Sequence, residues 1–143
     1  MLVLKHWRNN LQPNTPIKVF VYGTLKSGGE IRGLHQFVGG AVIVGKAYTT
    51  YPDYSMIDLG AFPGVLKGGR HKIQGEVWEV DQDTFEDLDA MEGYPEFYNR
   101  ELTETTQGRA WMYYLESDKY QALTYPDSPN IELQQDTLHW RLK

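Results

Sequence analysis

Strand-like segments dominate the hydrophobic pattern of this chain. Residues 17–22 include five β-branched or aromatic side chains among six, and glycine-rich chain follows them directly. This composition predicts a buried strand that runs into a loop. Similar runs predict further strands at residues 41–50, 54–59, 71–80, 97–105 and 109–116. Short turns separate the second strand from the third and the fifth from the sixth, so each of these two pairs is predicted to form a hairpin.

Two segments have helical spacing instead. Within residues 30–38, apolar side chains recur at intervals of three, which predicts a short amphipathic helix that ends at Gly39. A second helix is predicted to begin at Asp81 or Asp83, since either can act as an N-cap, and to run to about Glu92, before Gly93.

Strands therefore outnumber helices by about five or six to two. We predict an α+β fold with a mostly antiparallel, mixed, barrel-like sheet of five to six strands and two or so flanking helices. No repeat or linker divides the 143 residues, so residues 17–143 are expected to form one domain after an extension at residues 1–16.

Composition excludes several classes of function. The chain has no cysteine, which excludes thiolate nucleophiles and cysteine-ligated metals and favours a reducing, cytoplasmic compartment. Its four histidines are scattered, so no metal site is expected. The net charge of −5 argues against nucleic-acid binding. The apolar runs are too short to span a membrane.

The second helix carries one carboxylate on its apolar face. With Phe85 at 0°, a step of about 100° per residue places Leu88 near 300° and Glu92 near 340°. Desolvation, the negative end of the helix dipole and neighbouring acidic groups would all raise the pKa of a carboxyl group there, as a general acid or base requires. The alternative is that the last helical turn frays and Glu92 lies in water.

The glycine-rich loop after the first strand is a second candidate feature. Backbone N–H groups in such a loop can converge on an anion or an oxyanion, although many loops of this composition are only turns. A phosphate-binding P-loop is excluded, because Gly29 and Glu30 occupy the positions of its lysine and its serine or threonine. The glycine intervals do not fit the dinucleotide-binding fingerprint either.

Two segments together resemble the gamma-glutamyl cyclotransferase-like family, particularly its gamma-glutamylamine cyclotransferase branch and small bacterial relatives. They are FVYGTLK at residues 20–26 and LDAMEGYPEFYNR at residues 88–100, and the resemblance covers about residues 17–116. It implies a small mixed barrel with flanking helices. It also implies that Glu92 is the catalytic acid and base, and that the substrate-binding residues are Tyr22, Gly23, Thr24, Leu25, Tyr98 and Tyr113.

The resemblance further implies an enzyme that converts a gamma-glutamyl amine or peptide to 5-oxoproline and a free amine without a cofactor. The expected partner is a small-molecule gamma-glutamyl substrate, and the protein is expected to be a monomer or homodimer. Two alternatives stay open at this point. One is a non-catalytic module that binds a gamma-glutamyl or other carboxylate ligand. The other is a glycosidase in which Asp53, Asp58 or Glu76 partners Glu92.

Overall fold

The computed structural model describes residues 15–23, 25–26, 40–116 and 122–142, and within them it has ten strands and one helix. These are β1 (Ile17–Val21), β2 (Ala41–Tyr48), β3 (Tyr54–Asp58), β4 (Pro63–Lys67), β5 (Lys72–Val80), α1 (Gln82–Met91), β6 (Asn99–Thr105), β7 (Gly108–Tyr114), β8 (Leu123–Thr124), β9 (Ile131–Gln134) and β10 (Thr137–Trp140). The predicted helix at residues 30–38 and most of the predicted N-terminal extension lie outside the described residues.

β5 is the central strand of a seven-stranded mixed sheet. On one edge it pairs antiparallel with β2. On the other edge it pairs antiparallel with β1 and, nearer its own start, parallel with β10, which carries β9. Beyond β1 lie β7, which is parallel to β1, and β6, which forms an antiparallel hairpin with β7. The predicted hairpin of residues 97–105 and 109–116 is therefore confirmed.

The sheet curls until β2 meets β6. Thr49, just after β2, forms a bridge with Thr105 at the end of β6. The Thr50 N–H donates to the Glu104 carbonyl, and the Thr106 N–H donates to the Tyr48 carbonyl, both at 2.9 Å. Strand contacts thus run from β2 through β5, β1, β7 and β6 back to β2, which is the barrel-like arrangement that the sequence predicts.

A second sheet of three short strands packs beside the first. β3 lies at its centre and pairs antiparallel with β4 and β8. The predicted hairpin between residues 41–50 and 54–59 is therefore wrong, because β2 pairs with β5 and β3 pairs with β4. The Leu115 N–H, just after β7, donates to the Val65 carbonyl at 2.8 Å and joins the two sheets.

The central strands bury both of their faces, in two separate cores. Phe20, Val77 and Met112 belong to one core, and Val19, Trp78 and Tyr113 belong to the other. The second core also contains Phe85 and Leu88 of α1, so the helix covers that face of the sheet. This explains why apolar residues break strict alternation at the end of β5.

The predicted fold class is correct in its main features and differs in its counts. Across the two sheets six strand pairings are antiparallel and two, both in the larger sheet, are parallel, so that sheet is mixed and mostly antiparallel. The larger sheet has six strands along one hydrogen-bonded path and a seventh, β2, beside β5, the second sheet adds three, and the described residues contain one helix. Several of the additional strands are two to five residues long, too short to show a periodic pattern. In the part of the chain that the structure describes, no helix is both long and apolar enough to cross a membrane.

Replacement of Thr49 by valine tests the side-chain hydrogen bond that joins the end of β2 to β5. The buried Thr49 Oγ1 accepts a hydrogen bond from the Ile73 N–H at 2.9 Å, and valine would leave that donor buried without this acceptor. We expect Thr49→Val to lower the free energy of unfolding by about 1–3 kcal/mol in chemical denaturation. Thr50→Val, at the exposed neighbouring position, is the control. Equal losses in the two variants would contradict this role.

Candidate active site

β1 and α1 bring the two candidate segments to the same end of the sheet. β1 ends at Val21, and Tyr22 and Gly23 follow it. α1 begins after β5, where the carboxylate of the N-cap Asp81 accepts a hydrogen bond from the Thr84 N–H at 2.8 Å. Asp83, the other predicted cap, lies within the helix. Glu92, at the far end of α1, and Gly23 line one cavity.

This cavity has a volume of about 400 Å³. Its lining is mostly apolar and aromatic, as is typical of small-molecule sites. Five of the predicted site residues belong to the lining in addition to Glu92. The lining residues that the structure describes are Phe20, Val21, Tyr22, Gly23, Leu25, Ala61, Phe62, Pro63, Met91, Glu92, Phe97, Tyr98 and Tyr113. Thr24, the remaining predicted residue, lies outside the described residues.

A Schellman motif fixes the backbone of Glu92 at the end of α1. Glu92 is the C-cap, and Gly93 after it has a φ of 65°, in the left-handed region. The Gly93 N–H donates to the Ala90 carbonyl at 3.2 Å, and the Tyr94 N–H donates to the Asp89 carbonyl at 2.9 Å, as this motif requires. Glu92 thereby keeps helical dihedral angles, so the last turn does not fray.

The carboxyl group of Glu92 is correspondingly desolvated. Phe85 and Leu88 on the same face of α1 are buried, Glu92 is partly buried, and Glu86 and Asp87 are exposed. Burial raises the pKa of Glu92 from 4.5 to about 7. Of the three effects expected from the sequence, desolvation is the one that produces this shift. The group can therefore hold or release a proton near neutral pH.

Two tyrosines of the cavity are held by hydrogen bonds to backbone groups. The Tyr22 hydroxyl donates to the Tyr113 carbonyl at 2.7 Å and accepts from the Val65 N–H at 3.3 Å. The Tyr98 hydroxyl donates to the Pro63 carbonyl at 2.6 Å. Burial raises the pKa of Tyr22 well above its ordinary value, and nearby Tyr98 and Glu92 raise it further. Tyr22 therefore stays protonated, and the hydrogen bonds of the two phenols fix the shape of the cavity.

Tyr113 is held by a charged pair that the sequence analysis did not single out. Its hydroxyl donates to Asp89 Oδ1 at 2.7 Å, and Arg100 Nε donates to the same oxygen at 2.8 Å. The guanidinium of Arg100 lies 4.2–4.5 Å from the ring centroids of Phe85, Tyr94 and Trp111. Asp89 and Arg100 both occur in the family-like segment, but only the fold shows that they meet. The pair joins α1 to β6, and the Tyr113 hydroxyl joins the same carboxylate to β7.

Gly23 is required because the backbone passes close to Pro63. A Cβ atom at Gly23 would lie 2.9 Å from Pro63 Cδ, although the φ of Gly23 is outside the left-handed region. The turn is closed by the Lys26 N–H, which donates to the Gly23 carbonyl at 3.1 Å. Lys26 Nζ is buried and donates to the Trp140 carbonyl at 2.9 Å, so it attaches the loop to β10.

The carboxylates required by a glycosidase do not meet at this cavity. Glu92 is the one carboxylate among the described lining residues. Asp58 accepts hydrogen bonds from the Gly60 N–H and the Ser128 hydroxyl, each at 2.7 Å, and Glu76 accepts one from Trp78 Nε1 at 3.1 Å. Asp53 is exposed. None of the three candidate partners lines the cavity, so the glycosidase alternative lacks its second carboxylate there.

Comparison with known proteins supports the same family that the two segments resemble. A family model described as gamma-glutamyl cyclotransferase, AIG2-like, matches residues 19–135. A Vibrio cholerae protein named "Putative gamma-glutamylcyclotransferase" is 39% identical over 106 residues, which cover 73% of this chain and 88% of that relative. The match with the family model extends beyond residue 116 and includes β8 and β9, which the sequence analysis left outside the resemblance.

Solved structures show the same fold. The uncharacterized protein PH0828 of Pyrococcus horikoshii has a TM-score of 0.59 and 28% identity, over 75% of this chain and 85% of that one. An AIG2-like protein from Mus musculus has a TM-score of 0.60 and 25% identity, over 73% of this chain and 79% of that one. Since the family model also matches well over half of the chain, this protein belongs to the gamma-glutamyl cyclotransferase, AIG2-like family.

Proposed function

We propose that the protein converts a gamma-glutamyl amine or peptide to 5-oxoproline and a free amine, with Glu92 as the general acid and base. The observation that carries this proposal is the position of Glu92. Its carboxyl group is desolvated, has a pKa of about 7 and lines a cavity of about 400 Å³ together with Gly23 and Leu25 of the glycine loop. A proton-transfer group with a pKa near the working pH is what the reaction needs.

The reaction is a ring closure within the substrate. Ionised Glu92 takes a proton from the α-ammonium, and the freed amine attacks the γ-amide carbonyl carbon. A carbon–nitrogen bond forms, and the carbonyl oxygen becomes an oxyanion. When the oxyanion collapses, the bond to the leaving nitrogen breaks and Glu92 returns a proton to that nitrogen. The attacking nitrogen loses its second proton once it has bonded to the carbonyl carbon, and the released amine takes up a second proton to become an ammonium. Two protons thus leave the attacking nitrogen and two reach the leaving nitrogen, so no water or oxidant is consumed.

The glycine loop is proposed to orient the substrate for this closure. Backbone N–H groups at Gly23, Thr24 and Leu25 would bind the substrate's carboxylate or the developing oxyanion. Tyr22, Tyr98 and Tyr113 would bound the space in which the substrate folds back on itself. Such preorganisation supplies several kcal/mol, because the two ends of a flexible substrate must otherwise find each other.

Replacement of Glu92 by glutamine tests its role in catalysis. Glutamine has a similar size but cannot exchange the proton, so we expect Glu92→Gln to lower kcat by roughly 10²-fold to 10⁴-fold. The measurement is 5-oxoproline release from a panel of gamma-glutamyl amides, with Glu96→Gln, at a nearby exposed position, as the control. A glutamine variant with near wild-type turnover would refute the assignment. Wild-type binding without any 5-oxoproline would instead indicate a non-catalytic binding module.

The pH dependence of the reaction should report the pKa of Glu92. Because the ionised form accepts the first proton, kcat/KM should rise with pH and level off above about 7. In the substrate complex the α-ammonium favours the ionised carboxylate, so the corresponding limb of kcat should lie at lower pH. Both profiles can be measured between about pH 4 and 8. A kcat/KM limb near 4.5, the ordinary pKa of a glutamate, would contradict the buried base.

Protein stability offers a test of the same group without substrate. The pKa of Glu92 is higher in the folded protein than in the unfolded chain, so wild-type stability should fall as the pH rises from about 4.5 to about 7. This shift corresponds to on the order of 3 kcal/mol. We expect Glu92→Gln to be more stable than wild type by up to that amount at about pH 8 and to lose most of the advantage near pH 4.5.

Denaturant unfolding at the two pH values measures this difference. Glu96→Gln removes the same charge from an exposed position and should change stability little at either pH. A glutamine variant at position 92 that is no more stable than wild type at the higher pH would show that Glu92 is not desolvated in solution.

A further inference from the structure

A second carboxylate of α1 lies one helical turn from Glu92. Asp89 precedes Glu92 by three residues, and Glu92 keeps helical dihedral angles (φ −82°, ψ −3°), so the two side chains are neighbours on the helix. The side chain of Asp89 is 20% exposed, whereas Glu86, Asp87 and Glu96 are exposed. A like charge that is close to Glu92 and poorly screened by water would favour the protonated form of Glu92. Asp89 is therefore the neighbouring carboxylate whose charge has to be balanced.

Arg100 of β6 provides the balancing charge. Its Nε donates to Asp89 Oδ1 at 2.8 Å and its Nη2 donates to Asp89 Oδ2 at 3.1 Å, so the pair is bidentate. The Arg100 side chain is 16% exposed, and its guanidinium also lies over three aromatic rings. Two hydrogen bonds and three rings thus hold the cation at one position. The ion pair is a fixed unit whose two charges cancel each other at a distance.

Tyr113 connects this ion pair to the cavity. It lies directly opposite Arg100 in the pairing of β6 with β7, and its hydroxyl donates to Asp89 Oδ1 at 2.7 Å. The same phenol lines the cavity together with Glu92. Burial raises the pKa of Tyr113, its hydrogen bond to Asp89 and the charge of Asp89 raise it further, and Glu92 adds to this effect. The Tyr113 hydroxyl therefore lies within electrostatic reach of both carboxyl groups.

The other titratable groups that face Glu92 are uncharged near neutral pH. Tyr22, after β1, and Tyr98, before β6, line the cavity with Glu92, and their hydroxyls donate to backbone carbonyls. Tyr113 faces it from β7. The buried ammonium of Lys26 donates to a backbone carbonyl of β10. In the part of the chain that the structure describes, the ion pair is thus the place where loss of one charge would reach Glu92 through partly buried groups.

We propose that the Asp89–Arg100 pair is a charge-balancing unit for Glu92, in which Arg100 cancels the field of Asp89 at the acid–base group. Both are positioning residues, since neither belongs to the described lining of the cavity. This inference rests on the proposed function for the role of Glu92, but the balance of charges can be measured without a substrate. Loss of either partner shifts the proton affinity of Glu92 in opposite directions, and loss of both restores it.

Two single replacements separate this role from a purely structural one. Asp89→Asn keeps the shape of the side chain but leaves the Arg100 cation unbalanced, so the pKa of Glu92 should fall by about half a unit or more. Arg100→Gln leaves the Asp89 carboxylate unbalanced, so the pKa should rise by a similar amount. The measurement is the pH dependence of the side-chain carboxyl carbon shifts by NMR in glutamate-labelled protein, with Glu92 assigned from its absence in Glu92→Gln. Shifts in the same direction, or in neither variant, would overturn the proposal.

A double replacement and a conservative one complete the cycle. Asp89→Asn combined with Arg100→Gln removes both charges, so the pKa of Glu92 should return to near its wild-type value. Arg100→Lys keeps the cation without the bidentate geometry and should also leave the pKa near the wild-type value. A double variant shifted as far as either single variant would contradict the balance. If Arg100→Gln does not fold, Asp89→Asn and Arg100→Lys decide, and a pKa in Asp89→Asn at or above that of the wild type would overturn the proposal.

An exposed ion pair on the same hairpin supplies the matched control. Arg109 Nε donates to Glu104 Oε1 at 2.7 Å, and the two side chains are 71% and 45% exposed. Glu104→Gln and Arg109→Gln change the net charge as the two test variants do, but they should leave the pKa of Glu92 unchanged because solvent screens these positions. Shifts in the controls equal to those in the test variants would show a general effect of net charge and would overturn the proposal.

Turnover tests the consequence for catalysis separately. With gamma-glutamyl amides as substrates, the acidic limb of kcat/KM should move to lower pH in Asp89→Asn and to higher pH in Arg100→Gln, together with the pKa of Glu92. If the wild-type protein releases no 5-oxoproline, the proposed function is wrong, whereas opposite pKa shifts in the two variants would still support the charge balance. If turnover occurs and the pKa of Glu92 is the same in all variants, the charge balance is wrong and the reaction stands.

Discussion

The site depends on one constraint of the fold. β1 pairs antiparallel with β5, and α1 runs back over the sheet face that these two strands share. Residue Ile17 lies opposite Val80, so the glycine loop leaves the sheet at the end opposite to the start of α1. The ten residues of α1 span about 15 Å, and the five residues of β1 span about 16 Å. A helix of this length that returns along the sheet ends beside the loop. The geometry thus follows from the lengths of the elements and one strand pairing.

The same constraint explains how the protein tolerates a desolvated carboxyl group. Phe85 and Leu88 anchor α1 in the core, and the pairing of Asp89 with Arg100 ties its last turn to the hairpin of β6 and β7. The Schellman motif at Gly93 then prevents the chain from unwinding. With these three restraints, Glu92 cannot move into water without breaking buried contacts. Burial that costs on the order of 3 kcal/mol above neutral pH is therefore offset by the packing of the whole helix.

Local patterns in the sequence predicted the parts of the site that depend on local structure. The strand character of residues 17–22, the N-cap at Asp81 and the shared face of Phe85, Leu88 and Glu92 can all be predicted from residue types and their spacing.

The pairing of strands that are distant in the sequence could not be predicted from such local patterns. Residues 41–50 and 54–59 look like a hairpin, but β2 pairs with β5 more than twenty residues away. The short strands β8 to β10 have no periodicity and are stabilised by β3 and β5. The meeting of Asp89, Arg100 and Tyr113 likewise depends on the pairing of β6 with β7 and on the packing of α1.

Desolvation and proton transfer are linked at Glu92 under the proposed function. The apolar and aromatic side chains that line the cavity bury the carboxyl group and raise its pKa to about 7. A cationic side chain beside the group would lower its pKa and make it a weaker base, whereas a second carboxylate would raise its pKa further and keep it protonated. An apolar lining therefore suits a group that has to take a proton and return one near neutral pH.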